Sequence, residues 1–133
     1  MNQTILQPGE IVTELLLPGL TAGTGSAFLR LVRTAGDIAK VNVAVMVTIA
    51  NDKCTDARIA IGSVAPTPIR AREAERMLKG QKIDQKIVAE AAEAATEEAK
   101  PITDIRSTVE YRKEMVKVLV RRVTEKALER TRR

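Results

Sequence analysis

Residues 25–71, GSAFLRLVRTAGDIAKVNVAVMVTIANDKCTDARIAIGSVAPTPIRA, decide the fold of this chain. Within them Val43, Val45, Val47 and Ile49 alternate with Ala44, Met46 and Thr48, the two-residue period of a strand. One face is wholly apolar and the other nearly so. A strand over residues 43–49 is therefore expected to be buried on both sides or to lie at an interface. The turn NDKC, residues 51–54, leads to a second strand over residues 57–64, with Ile59 and Ile61 on one face and Arg58 and Ala60 on the other. The two form a hairpin, and the turn residues beyond two predict a longer loop or a bulge. Upstream, residues 26–33 read as a strand, and Asp37 is placed to cap a single helical turn, DIAKV.

Working outward, residues 10–17 (EIVTELLL) are apolar, β-branched and bounded by Pro8-Gly9 and Pro18-Gly19, so they too read as a strand. Three helices follow the sheet. Thr67-Pro68 offers an N-cap and an N1 proline to the first, and Gly80 ends it beyond Met77 and Leu78. Asp84 caps the second, whose Ile87, Val88, Ala91 and Ala95 make a narrow face of mostly small residues, and Lys100-Pro101 stops it. Ser107 and Glu110 form a capping box for the third, along which Val109, Val116, Leu119, Val120 and Val123 line one side. Strands first and helices afterward give an α+β fold: a small antiparallel sheet of three to four strands with three helices on one face. Residues 1–133 read as a single domain.

Composition removes several functions. The chain has no histidine and one cysteine, Cys54. The usual general base, the Ser-His and Cys-His nucleophile pairs, thiolate clusters and the commonest transition-metal ligand are all missing. Only Phe28 and Tyr111 are aromatic, so the core must be built from small aliphatic side chains. No apolar run approaches membrane-spanning length and residues 1–10 lack a signal pattern, so a cytoplasmic location is expected.

The net charge of +5 is concentrated: residues 112–133 hold nine Lys/Arg and three Glu. That helix invites a nucleic-acid reading through Arg121, Arg122, Arg130, Arg132 and Arg133. Its cations are interleaved with Glu114, Glu125 and Glu129, and only Tyr111 is available for stacking, which favours a solvated face and subunit contact. The glycines of GLTAGTG, residues 19–25, suggest a phosphate cradle. They feed a strand rather than a helix N-terminus, which favours a hairpin loop. Arg112 shares a helical stripe with Val116, Leu119 and Val123. Either its stem lies on the core with the head at the edge, or it pairs with Asp104 or a partner subunit. Lys40 stands at a turn-to-strand junction within reach of a ligand or merely exposed. Cys54, in a turn beside Lys53, reads as tolerated rather than reactive.

Four ordered segments carry a resemblance: GEIVTELLLP, the SAF word, GDIAKVNVAV through DARIAIGSVAPTPIRA, and PITDIRSTVEYRKEMVKVLVRR, together spanning residues 9–122. They resemble the C-terminal domain of the flavoprotein subunit of molybdenum hydroxylases, the xanthine dehydrogenase and CO dehydrogenase group. The resemblance implies an α+β sandwich beside an N-terminal FAD-binding domain that these residues do not include. It implies a non-catalytic role, helping to wall FAD while electrons pass from molybdopterin through iron–sulfur clusters to the flavin. Partners so implied are the FAD-binding domain or chain, the iron–sulfur subunit and the molybdopterin subunit, with FAD held only once the first is present.

Flavin contacts are implied at Val12 and at Leu29 or Arg30. Animal-type members have Lys directly after the aromatic, where this chain has Leu29, its basic residue following at Arg30. Adjacent strand residues face opposite ways, so Arg30 does not automatically replace that Lys. Val12 and Leu29 are expected to face the partner, because the helices' apolar sides cover the other face. The alternatives are a free-standing module that self-associates and, third, the nucleic-acid binder.

Overall fold

A computed structural model describes residues 4–132. Four strands form one antiparallel sheet in sequence order: β1 (Thr24–Leu31), β2 (Val41–Ala50), β3 (Lys53–Gly62) and β4 (Ile69–Arg70). Three helices follow, α1 (Arg72–Leu78), α2 (Gln85–Glu98) and α3 (Val109–Arg130). The expected α+β class, with strands first and helices on one face, is what the chain adopts.

The alternation along β2 becomes two unlike faces. Val41, Val43, Val45 and Val47 are buried, whereas Ala44 is exposed and Met46 and Thr48 are half-buried. Burial on both sides of this strand is therefore not observed. One set of side chains meets Ile59, Ile61, Val116, Val120 and Val123 in the core, and the other faces outward. α3 lies against β1 and β2, α1 against β3, and α2 packs between α1 and α3. Ala74, Ala91, Ala92, Ala95 and Ala127 line the helix side of that core. Small side chains let backbones approach closely, which compensates for the shortage of aromatics.

The hairpin turn uses only Asn51 and Asp52, both in the left-handed region, between paired Ala50 and Lys53. That is the two-residue turn whose twist suits a hairpin, and Asn and Asp tolerate its positive φ. The extra residue is taken up by a bulge between Thr48 and Ile49. A bulge was one of the two expected outcomes; a longer loop was the other.

Four local expectations need correction. Residues 10–17 form no strand, because no neighbouring strand offers them backbone partners. They run as an exposed arm, with Leu17 91% accessible. Residues 37–41 form no helical turn: the Asp37 carboxylate binds the Ile38 amide and Arg33 Nε, holding a bend instead. Thr67-Pro68 does not open α1, since Ile69–Arg70 first pair with β3 and keep the chain extended. The Glu98 carboxylate accepts from the Arg72 and Glu73 amides at 2.9 and 3.0 Å, satisfying the start of α1 from the far end of α2. The cap of α3 is Thr108, whose hydroxyl accepts from the Tyr111 amide at 3.2 Å, one residue later than Ser107. The Asp84 cap of α2 and Gly80 after α1, at φ +79°, are as expected.

Candidate functional site

Three features lie outside the closed core: the open face of the sheet, the arm that leaves it, and the loop end held by Arg112. The open face follows from strand pleating, which sends alternate side chains away from the helices. Phe28 and Arg30 of β1, Ala44 and Met46 of β2, Arg58 and Ala60 of β3, and Arg70 of β4 share it. Phe28, one of only two aromatic side chains, is 57% exposed here.

A shallow cleft of about 430 Å³ has Phe28, Ala44, Met46 and Ala60 as its floor and Arg58, Arg70 and Arg130 at its rim. The rim guanidiniums are held in place. Arg130 reaches from the end of α3 to the Ser26 carbonyl at 2.6 Å. Arg70 Nε donates to the Glu75 carboxylate at 2.6 Å, and the same oxygen accepts the Ile59 amide at 2.8 Å. Arg58 pairs with Asp56, which Lys79 also grips at 2.7 Å. Lys79 first, and then Arg58, push the Asp56 carboxyl below its ordinary value. The floor is apolar and the rim cationic, a combination that can stack a planar ring or seat an apolar patch with acidic edges.

Beside this cleft the base of the arm leans over the sheet. Leu17, Pro18 and Leu20 face Met46, Thr48 and Arg58 across a space of about 690 Å³. Gly23 and Gly25, in the loop that could have cradled phosphate, have packing roles. Gly23 sits at φ +73°, and a Cβ on it would lie 2.3 Å from the Ile49 carbonyl oxygen. A Cβ on Gly25 would lie 2.1 Å from the Ala127 carbonyl oxygen, so this glycine lets the end of α3 touch β1.

At one end of the sheet Arg112 joins three loops. The residue is 4% exposed. Nη1 donates to the Lys40 carbonyl at 2.7 Å and the Ser63 carbonyl at 2.9 Å, and Nη2 to Asp104 at 2.8 Å. The structure thus realises the expected Asp104 pair and adds two carbonyl partners that sequence spacing gave no sign of. Asp104 also accepts from the Arg106 and Ser107 amides. The Arg106 amide first, then the Arg112 guanidinium, hold its carboxyl down to about 2. The Lys40 ammonium lies over the Tyr111 ring, 5.5 Å from its centroid. Cys54 is buried in β3 rather than placed in a turn, and burial first, then the Asp56 charge, push its thiol upward. It is not a thiolate waiting to react.

The three residues singled out for flavin contact fall in three settings. Val12 is on the arm and 65% exposed. Arg30 is exposed on the open face, its Nη2 donating to the Ala35 carbonyl at 2.5 Å. Leu29 turns the other way and packs, half-buried, against the core. The expectation that Leu29 faces away from the helices is therefore corrected by the pleat. Phe28, one residue earlier, is the apolar side chain that this strand presents outward. Its signal in the sequence was its rarity.

Residues 26–127 match the family described as the CO dehydrogenase flavoprotein C-terminal domain. This chain belongs to that family. It is 36% identical over 124 residues to the carbon monoxide dehydrogenase medium chain of Afipia carboxidovorans, covering 93% of this chain and 43% of the relative. It is 35% identical over 126 residues to the 6-hydroxypseudooxynicotine dehydrogenase complex subunit alpha of Paenarthrobacter nicotinovorans, covering 94% of this chain and 43% of that one. Its fold superposes on a carbon monoxide dehydrogenase of Hydrogenophaga pseudoflava with a TM-score of 0.83 and 35% identity, covering 86% of this chain and 40% of the other. The chain spans about two-fifths of the length of these relatives. No helix among the described residues is long and apolar enough to cross a membrane.

Proposed function

We propose that this chain is the non-catalytic C-terminal domain of a molybdenum-hydroxylase flavin subunit. It walls one side of FAD and docks the flavin-binding part of the subunit, within an assembly that also holds iron–sulfur and molybdopterin subunits. Membership of the flavoprotein C-terminal family is the observation that carries this reading. The face left open by the helices is its physical complement.

The residues present fit a wall and not a whole site. Phe28, Ala44 and Met46 offer a flat apolar floor, and Arg30 and Arg58 place donors beside it. Among the described residues no glycine-rich loop leads into a helix to hold a diphosphate. Bound FAD would supply the two-electron chemistry. The chain's own part is to exclude water from one side, to orient a ring by contact, and to hold partner surfaces in register. Arg30 and Val12 present side chains for such contacts; Leu29 bears on the flavin only through the part the helices leave uncovered.

The basic face of α3 gives the nucleic-acid reading little support. Arg112 is buried, Arg130 is turned onto the Ser26 carbonyl, and Lys117 pairs with Glu93 of α2. Arg133 lies outside the described residues. Arg121, Arg122 and Arg132 stay exposed, and Glu125 and Glu129 interrupt them along the helix, which shortens any run of cations for a phosphate backbone.

The test is co-expression with the flavin-binding part of a medium chain. A yellow complex that co-purifies supports the proposal, and the chain expressed alone is expected to be colourless. Stoichiometric flavin on the isolated chain would refute the division of labour. Failure to form any complex would refute the docking role.

A further inference from the structure

The arm and the open face of the sheet are complementary in pattern and in sign. From residue 4 to residue 29 the only charged residues are Glu10 and Glu14, while Arg58, Arg70 and Arg130 rim the cleft on the sheet. In an extended chain Glu10, Val12 and Glu14 share one side. The arm thus presents an apolar side chain between two carboxylates, and the cleft presents an apolar floor between guanidiniums.

The spacing agrees as well. Arg130 stands at β1, bound to the Ser26 carbonyl, and Arg58 and Arg70 belong to β3 and β4. Strands about 4.8 Å apart put β1 and β4 about 14 Å from each other. Along an extended chain, positions four residues apart are separated by about 13 Å. Laid across the strands, such a segment brings one carboxylate to Arg130 and the other to Arg58 and Arg70, with Val12 over Phe28, Ala44 and Met46. The guanidiniums are held ready for it. The bonds that fix them use Nε of Arg58 and Arg70 and Nη1 of Arg130, so each keeps an Nη2 that no hydrogen bond among the described residues employs.

The arm does not meet its own face. Only its base, Leu17 to Leu20, lies against Met46, Thr48 and Arg58. Ile11, Leu15 and Leu16 are each 80% or more exposed. The arm stands off the fold to which it belongs, while the cleft beside its base is bare. A small ligand in so shallow a cleft would leave most of its surface in water. A second copy supplies what is missing on both sides: its arm for this cleft, and its cleft for this arm. Such an exchange is isologous and closes at two copies.

We infer that two copies of this chain exchange arms, residues 10–14 of each lying across the open sheet face of the other. Glu10 and Glu14 pair with the rim arginines, and Val12 covers the floor. The face is thereby closed when the chain has no other partner. The inference stands on the chain alone, so its failure leaves the docking role untouched.

The experiment measures self-association of the full chain by sedimentation velocity over a concentration series. Three variants are compared with the wild type once circular dichroism has shown each to be folded: Glu10→Arg/Glu14→Arg, Arg58→Glu/Arg130→Glu, and the chain carrying all four changes. A fourth, Arg121→Glu/Arg122→Glu, makes the same change of charge on α3, away from the cleft. The wild type is expected to be a dimer. Reversing the arm alone or the cleft alone sets like charges against each other and is expected to weaken the dimer by about tenfold or more. All four changes together should restore it to within about threefold of wild type, and the α3 variant should stay within about twofold. Arm-reversed and cleft-reversed chains, each monomeric alone, should form a heterodimer when mixed, because both contacts then join opposite charges. A wild type that is monomeric at every concentration overturns the inference. Reversed variants that dimerise as the wild type does would place the contact elsewhere and overturn it too. So would mixed chains that stay apart, since each arm would then lie on its own face.

Discussion

The same strands carry two faces, and they use apolar residues differently. On the helix side Val41, Val43, Val45, Val47, Ile59 and Ile61 are sealed from water by β-branched side chains packed against alanines and valines of the helices. On the other side Phe28, Ala44, Met46 and Ala60 are apolar too, yet no helix among the described residues covers them, and arginines stand around them. Burial explains the first face completely. The second has residues suited to burial and a surface that is open, which is how an interface looks when its partner is not part of the fold. The lesson is that β2 carries apolar residues on both faces, of which the helices cover one.

The sharpest way to break that comparison is to put the same charge on adjacent residues. Val45→Asp places an unpaired carboxylate in the closed core and is expected to cost more than about 4 kcal/mol, removing a cooperative urea transition. Ala44→Asp, one residue away and outward, is expected to stay within about 0.5 kcal/mol of wild type in the isolated chain. Circular dichroism across a urea series checks both. Similar losses at the two sites would mean that the faces are not distinct.

A second substitution tests how tightly the covered face is closed. Gly25→Ala drives a methyl group into the Ala127 carbonyl, and neither backbone can yield without moving α3 off β1. A loss of about 3 kcal/mol is expected, near the upper end for overpacking. A thermal midpoint equal to wild type would show that the end of α3 is free to lift away.

Much of this was legible in the sequence, and the failures share a cause. The Val43–Ile49 alternation, the Asp84 cap and the order of strands then helices follow from local rules, because each depends on residues close in the chain. The start of α1 was misplaced because its amides are satisfied by Glu98, from another helix. Residues 10–17 have strand composition, but a strand also needs a neighbour, and composition cannot supply one. Arg112 illustrates the middle ground: its place on an apolar stripe announced a buried charge and Asp104 was named, yet the Lys40 and Ser63 carbonyls are 72 and 49 residues away. At the candidate site the pleat separates Leu29 from Arg30 as alternation requires, and it was Phe28 that the alternation placed on the open side.

The cap of α3 gives a smaller effect. Thr108→Ala removes the hydroxyl that accepts from Tyr111 and is expected to cost about 1 kcal/mol. Ser107→Ala should cost less than about 0.5 kcal/mol, since the fold uses its backbone rather than its side chain. The two denaturation midpoints, measured side by side, decide which residue begins the helix that closes the covered face.

The gentlest probe touches neither face but the loops joining them, where Arg112 gathers Lys40, Ser63 and Asp104. The Asp104 carboxyl is held at about 2 in the fold, chiefly by the Arg106 amide and then by Arg112, whereas an unfolded chain protonates Asp near about 3.9. A depressed carboxyl binds its proton more weakly in the folded state, so its contribution is fully present above the unfolded value. It is lost as pH falls from about 4 toward 2. Asp104→Asn cannot lose what it never had. Urea midpoints of wild type and variant should therefore differ most above pH ~5 and converge through the window down to about pH 2. Asp37 and Asp56 are depressed as well, so the variant keeps an acid limb of its own, only a shallower one. Two parallel curves across that window would mean that Asp104 does not titrate with the fold, and that the three loops are held by the carbonyl bonds of Arg112 alone.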